Sequence, residues 1–225
     1  MIRRSFSSQN ATPDSSATLS VTRTVAYTDA VFAIAATILV LDLTGGALGE
    51  ASSDAELWGK IGALWPNFLA FFISFTLLSM LWIAHVRQFR DIAHVDSTML
   101  WLNNARLLFI VLIPFTTSLT SNFDDLAAGR LLFPLNFFLA LLFGALSWSW
   151  AASRGGHLLR AGVADAGAQS LGGYVAVVVG ALVVVLAWWV GSAAVLLFLL
   201  DEPITRVLQR RRARQAAGDA STSGG

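Results

Sequence analysis

Long apolar runs separated by short polar stretches, which carry nearly all the charge, set the pattern of this chain. A membrane-spanning helix needs about 20 mostly apolar residues. Runs of that kind occur at roughly Thr22–Leu43, Lys60–Ile83, Ser97–Leu119 and Leu131–Ala152. The last run, Leu171–Leu200, has room for one long tilted helix or for two short ones meeting near Trp188-Trp189-Val190-Gly191-Ser192. The expected fold class is therefore an all-α polytopic membrane protein.

Charge decides between the two readings of the last run, because cytoplasmic segments collect Arg and Lys. With the N-terminus inside, the inner segments hold Arg3, Arg4, Arg23, Arg87, Arg90, Arg154 and Arg160, and the outer ones hold Lys60 and Arg130. The C-terminal run Arg206, Arg210, Arg211, Arg212 and Arg214 then belongs inside as well. Two helices in Leu171–Leu200 place it there and one does not, so six spans with both termini cytoplasmic are expected. Trp58, Trp82, Trp101, Trp148 and Trp188 fall near span ends, where indole prefers the headgroup level.

Composition agrees with the pattern. Hydrophobic residues make up 56% of the 225 and charged residues 13%, whereas soluble domains carry about a quarter charged. Residues 1–21 are expected to be a disordered cytoplasmic N-terminus, residues 22–205 the six-helix membrane domain, and residues 206–225 a basic and then polar cytoplasmic tail. Ala30–Leu41 followed by Ala47-Leu48-Gly49 has the outline of a signal peptide. The adjoining Asp29 and the long preceding stretch favour a retained span. Asp201-Glu202-Pro203 reads as the cytoplasmic end of the last span. With no cysteine, disulfides and thiolate metal sites are excluded. His85, His94 and His157 read as solvated groups in or beside connecting segments rather than as metal ligands.

The first span carries the most information. At about 100° per residue, Arg23, Tyr27, Ile34, Ile38 and Leu41 fall on one narrow stripe, with Thr37 at its border and Asp29 facing away. Periodicity alone shows a helix with an aliphatic face, which by itself reads as ordinary packing or lipid contact. Asp29 and Arg106 enter their spans from the same side and lie about 10–14 Å in. Buried ionisable groups are costly and are normally paired. A structural Asp29–Arg106 pair is expected, with Asn103 and Asn104 completing its hydrogen bonds.

Arg23, three residues, then Tyr27-Thr28-Asp29 resembles the signature Arg, three residues, Phe-Ser-Asp of the family of the lysosomal potassium channel transmembrane protein 175 and its bacterial single-repeat homologues. Ala-Val-Phe-Ala-Ile-Ala-Ala-Thr from Ala30, Leu-Val-Leu-Asp-Leu from Leu39, Asn103-Asn104 and Leu112-Ile113-Pro114-Phe115-Thr116 are also similar. The resemblance implies a homotetramer whose first helices line a central pore. It further implies that Ile34, Ile38 and Leu41 form successive aliphatic rings closing that pore, and that Thr37 bears on ion selectivity. No segment resembles the Thr-Val-Gly-Tyr-Gly carbonyl filter. A narrow apolar ring would select by enforcing partial dehydration, which potassium tolerates better than sodium, and would gate by dewetting. Asp42, Glu50, Asp54, Glu56, Asp124 and Asp125 make the outer segments acidic, which suits either a cation-attracting mouth or ordinary solvated loops.

The implied function is a potassium-selective, leak-type channel subunit that is not an enzyme. Its partners would be potassium ions, membrane lipids and further copies of itself, with no cofactor, metal or nucleic acid. A secondary transporter is the alternative. It would call for broken helices and polar midplane sites between internal repeats, and spans two, four and five are nearly free of such groups.

Overall fold

The computed structural model describes residues 20–44, 49–163 and 166–200. It contains α1 (Val21–Thr44), α2 (Asp54–Ala63), α3 (Trp65–Arg90), α4 (Ser97–Val111), α5 (Ile113–Phe123), α6 (Ala127–Gly156), α7 (Ala166–Val190) and a 3-10 segment, Gly191–Leu200. No strand occurs among the described residues; the one isolated bridge joins Ile92 to Leu159. By length and hydropathy five spans qualify among the described residues: α1, α3, α4 with α5, α6 and α7. The 3-10 segment opens the sixth stretch. The sequence downstream of Leu200, with Asp201-Glu202-Pro203 and the arginine tail, lies outside the described residues, as do residues 1–19.

Local signals explain the element borders. The last apolar run breaks at Gly191, whose φ of +73° is open to glycine and strained for other residues. There the chain turns, and the 3-10 segment packs back on α7 and α6. The third span divides at Leu112 because Pro114, in the first turn of α5, cannot donate to the preceding helix. Span two is displaced from its expected start at Lys60. Pro66 sits in the first turn of α3, and the stretch before it forms the separate short helix α2, capped by the Ser53 hydroxyl, which accepts from Glu56 N. At the other end α3 runs on through Arg87 to Arg90, since charge ends a membrane span without ending a helix.

Between apolar spans there is no hydrophobic drive to associate, so packing and interhelical hydrogen bonds hold the bundle together. α6 lies at the centre, against α4, α5 and α7, and α1 packs on α3, α4 and α5. A polar contact stitches each of several helix pairs. The Thr117 hydroxyl donates to Ser74 Oγ (2.8 Å), Asn136 Nδ2 to the Phe109 carbonyl (2.9 Å), and Trp148 Nε1 to Ser170 Oγ (3.0 Å). Trp148 is thereby a buried tie between α6 and α7, not the headgroup anchor expected from its place near a span end.

One end of the bundle gathers the start of α1, the end of α3, the start of α4 and the end of α6. Phe89, Ile92, Val95, Met99, Ala151 and Leu158 form a core there, with Val21 and Val25 packed on it. The connecting segments are clasped together: Ala93 N–H donates to Leu158 O (2.8 Å), and Arg160 N–H to Asp91 O (2.9 Å). Asp96 caps α4 by accepting from Met99 N (2.8 Å) and also accepts from Trp150 Nε1 (2.9 Å). Burial pulls the Asp96 pKa upward. Those two bonds and the neighbouring His157 outweigh it and hold the carboxyl below its usual range. The same end bears Arg23, Arg87, Arg90 and Arg160.

Candidate functional site

α1 buries one stripe and exposes the other. Thr24, Thr28, Phe32, Ala35, Leu39 and Leu43, spaced by three or four residues, are buried against the bundle. On the far side Tyr27 is 58% exposed, Ile34 57%, Ile38 40% and Leu41 65%. Arg23 and Thr37 are exposed on the same side. The stripe expected from periodicity is thus a single open face. The Thr37 hydroxyl donates back to the Ile34 carbonyl (2.8 Å). That bond uses its proton and turns oxygen lone pairs outward, the half of a hydroxyl that a cation requires.

The motif residues behind this face are tied to the bundle. Thr28 is fully buried, and its Oγ1 accepts from Asn103 Nδ2 of α4 (2.9 Å). Half-buried Asp29 accepts from Trp82 Nε1 of α3 (2.9 Å). The two contacts fix the rotation of α1 about its axis and so decide which residues stand on the open face.

The expected Asp29–Arg106 pair does not form. Arg106 is 3% exposed, its Nη2 donates to the Leu81 carbonyl (3.0 Å), and its guanidinium lies against Gly144 of α6. Equal depth is necessary for a pair, but facing is separate. Asp29 turns to α3, while Arg106 lies on the side of α4 turned toward Leu81 of α3 and Gly144 of α6. Of the two asparagines expected to serve that pair, Asn103 instead holds Thr28 and Asn104 is exposed.

His85 also departs from expectation. It lies within α3, fully buried, with ring centroids 6.1 Å from Phe32 and 4.3 Å from Phe89. Neither ring nitrogen has a hydrogen-bond partner among the described residues. Its position four residues after Leu81 and four before Phe89, both apolar, on a helical period, was the available signal for an inward-facing ring. Trp82 was missed as a partner of Asp29 for a similar reason: indole near a span end reads as an anchor.

A family model described as the endosomal/lysosomal potassium channel TMEM175 matches residues 23–114, the stretch holding both the open face and its supporting contacts. A potassium channel of Streptomyces collinus is 33% identical over 141 residues, 60% of this chain and 66% of that one. Over this stretch the chain is similar to the TMEM175 family. The endosomal/lysosomal proton channel TMEM175 of Danio rerio is 35% identical over 119 residues, 52% of this chain and 22% of its own length. These matches span less than two-thirds of the length of either relative. Among solved structures, a lysosomal potassium-selective channel TMEM175 homolog from Chamaesiphon minutus matches with a TM-score of 0.70 at 22% identity. The match covers 82% of this chain and 97% of that one, and it establishes a shared fold. By their names, TMEM175 proteins are ion channels and not enzymes.

In the connection between α1 and α3, Lys60 pairs with Glu56 (3.0 Å). Hydrogen bonds from the Ser52 hydroxyl and backbone, joined by Lys60, hold the Glu56 carboxyl down to about 2. Arg130 donates to the backbone carbonyls of Asp124 and Asp125. Lys60 and Arg130 thus set positive charge beside Glu56 and beside the Asp124-Asp125 turn.

Proposed function

We propose that this chain is a subunit of a potassium channel, a homotetramer in which the open face of α1 lines the pore. The observation that carries the reading is the sorting of α1: large aliphatic side chains and one outward-turned hydroxyl stand free, while the motif behind them is locked to α3 and α4. Four copies meeting on this face would stack rings of Ile34, Ile38 and Leu41 around an axis. Thr37 lies between the first two and offers oxygen to an ion that has shed water. Arg23 and Tyr27 stand at the entrance on the basic end, which is the cytoplasmic end by the distribution of arginines.

Relatives are named for potassium and for protons. Potassium fits the face better. Between Tyr27 and Leu41 it presents no titratable side chain to relay a proton, and Asp29 is engaged by Trp82 behind it. An aliphatic ring with hydroxyl oxygen close by suits an ion that dehydrates cheaply.

Purified protein in planar bilayers, with potassium on one side and sodium on the other, tests the function. Unitary currents reversing toward the potassium potential are expected; reversal at zero, or saturable flux without unitary steps, would sink the reading. Mass measurement in native membrane discs tests the assembly, and a monomer or dimer would remove the pore.

A further inference from the structure

A cavity of about 620 Å³ opens between α3, α6 and α7, and no residue of α1 lines it. That volume is ordinary for a small-molecule site. Its lining is graded. Leu77, Phe137, Leu141 and Phe198 form an apolar end, and Arg87, Gln88, Arg90 and Gln169 form a polar mouth. Arg106 lines the wall between them. It is 3% exposed, donates from one nitrogen to the Leu81 carbonyl, and leaves Nε without a partner. No carboxylate pairs with it among the described residues. A buried cation inside a membrane span calls for an anion, and the channel reading gives this one no role.

We propose that the cavity binds an anionic acyl lipid, with the acid group held at Arg106 and the acyl chain laid along Leu77, Phe137, Leu141 and Phe198. The ligand chemistry is an oxyanion joined to a hydrocarbon chain. It has two sources in a membrane, the carboxylate of a free fatty acid and the phosphate of an acidic phospholipid. Arg87 and Arg90 at the mouth draw either kind toward the opening. The site stands apart from α1, so it does not depend on the pore assignment.

Native mass spectrometry of the full chain in detergent tests this without recording current. Palmitate is compared with hexadecanol, and phosphatidylglycerol with phosphatidylcholine. In at least one pair the acidic member binds about tenfold more tightly, the scale of one charge-assisted hydrogen bond. Which pair shows the preference identifies the source. Arg106→Met abolishes the preference while the protein stays helical by circular dichroism. Should that variant not fold, Ala84→Phe decides. Ala84 is an exposed residue on the cavity lining, and a ring there fills the space without disturbing the core, so acid binding falls by about tenfold. Equal binding of acidic and neutral members, a preference that survives in folded Arg106→Met, or undiminished binding by Ala84→Phe would each overturn the site.

Discussion

On one side of α1, Thr24, Thr28, Phe32, Ala35, Leu39 and Leu43 are buried in the bundle; on the other, Tyr27, Ile34, Ile38 and Leu41 stand clear of it. In a soluble protein the first set would look like the wrong one to bury, since it holds two hydroxyls and a small residue. Inside a bilayer the logic reverses: lipid satisfies aliphatic side chains, while small residues and hydroxyls earn their place between helices by close approach and hydrogen bonding. Apolarity therefore does not say which face of such a helix is inside. The placement of Thr28 and Ala35 does.

The sharpest way to break this contrast is to put the same polar group on each face. Ile34→Asn replaces an aliphatic barrier with an amide. Potassium current should rise about tenfold, equivalent to removing about 1.4 kcal/mol from a barrier, while discrimination against sodium falls. Leu39→Asn places its amide on the buried face, where loss of folded protein without any gain of current is expected. If both asparagines change current alike, the faces do not differ in function.

Truncation reads the same contrast as stability. Phe32→Ala should lower stability by about 3–5 kcal/mol in thermal unfolding followed in detergent, because it empties a packed site. Ile34→Ala in the isolated protomer should change it little. A smaller effect belongs to the polar tie. Thr28→Val strands the Asn103 amide and should cost about 1 kcal/mol, and adding Asn103→Leu should recover most of it, since two apolar partners leave nothing unsatisfied. Failure of the double change to recover would mean the tie positions α1 by more than this bond. The smallest effect is expected at Asp29. The oxygen of Asp29→Asn still accepts from Trp82, so a loss of about 0.5 kcal/mol or less should follow. A loss near the 3–5 kcal/mol of a broken buried ion pair would restore the charge pairing that the geometry denies.

Much of the bundle was readable because spans announce themselves by length. Val21–Thr44 and Ala127–Gly156 differ from the apolar runs by a few residues, and the break in the last run falls at Gly191. The division at Leu112 was readable in principle from Pro114, and α2 from Ser53 followed at three residues by Glu56. The open stripe of α1 was legible because period and exposure follow from one helix alone. Asp29, His85 and Arg106 were not, since their partners depend on how several helices are rotated against one another. Depth along a span is a one-dimensional quantity that a sequence contains, whereas azimuth is relational. Arg106 and Asp29 share the first and differ in the second.

The clasp of Ala93 and Asp91 with Leu158 and Arg160 also constrains the order in which the protein can be made. Its two halves are separated by the whole of α4, α5 and α6. As the chain leaves the ribosome N-terminus first, spans one to three enter the bilayer before the loop between α3 and α4 has its backbone partners. Emergence of Leu158 is the earliest moment at which this end of the bundle can lock. Until then α3 and α4 are held together through α1, which packs on both, and through α5 against α3.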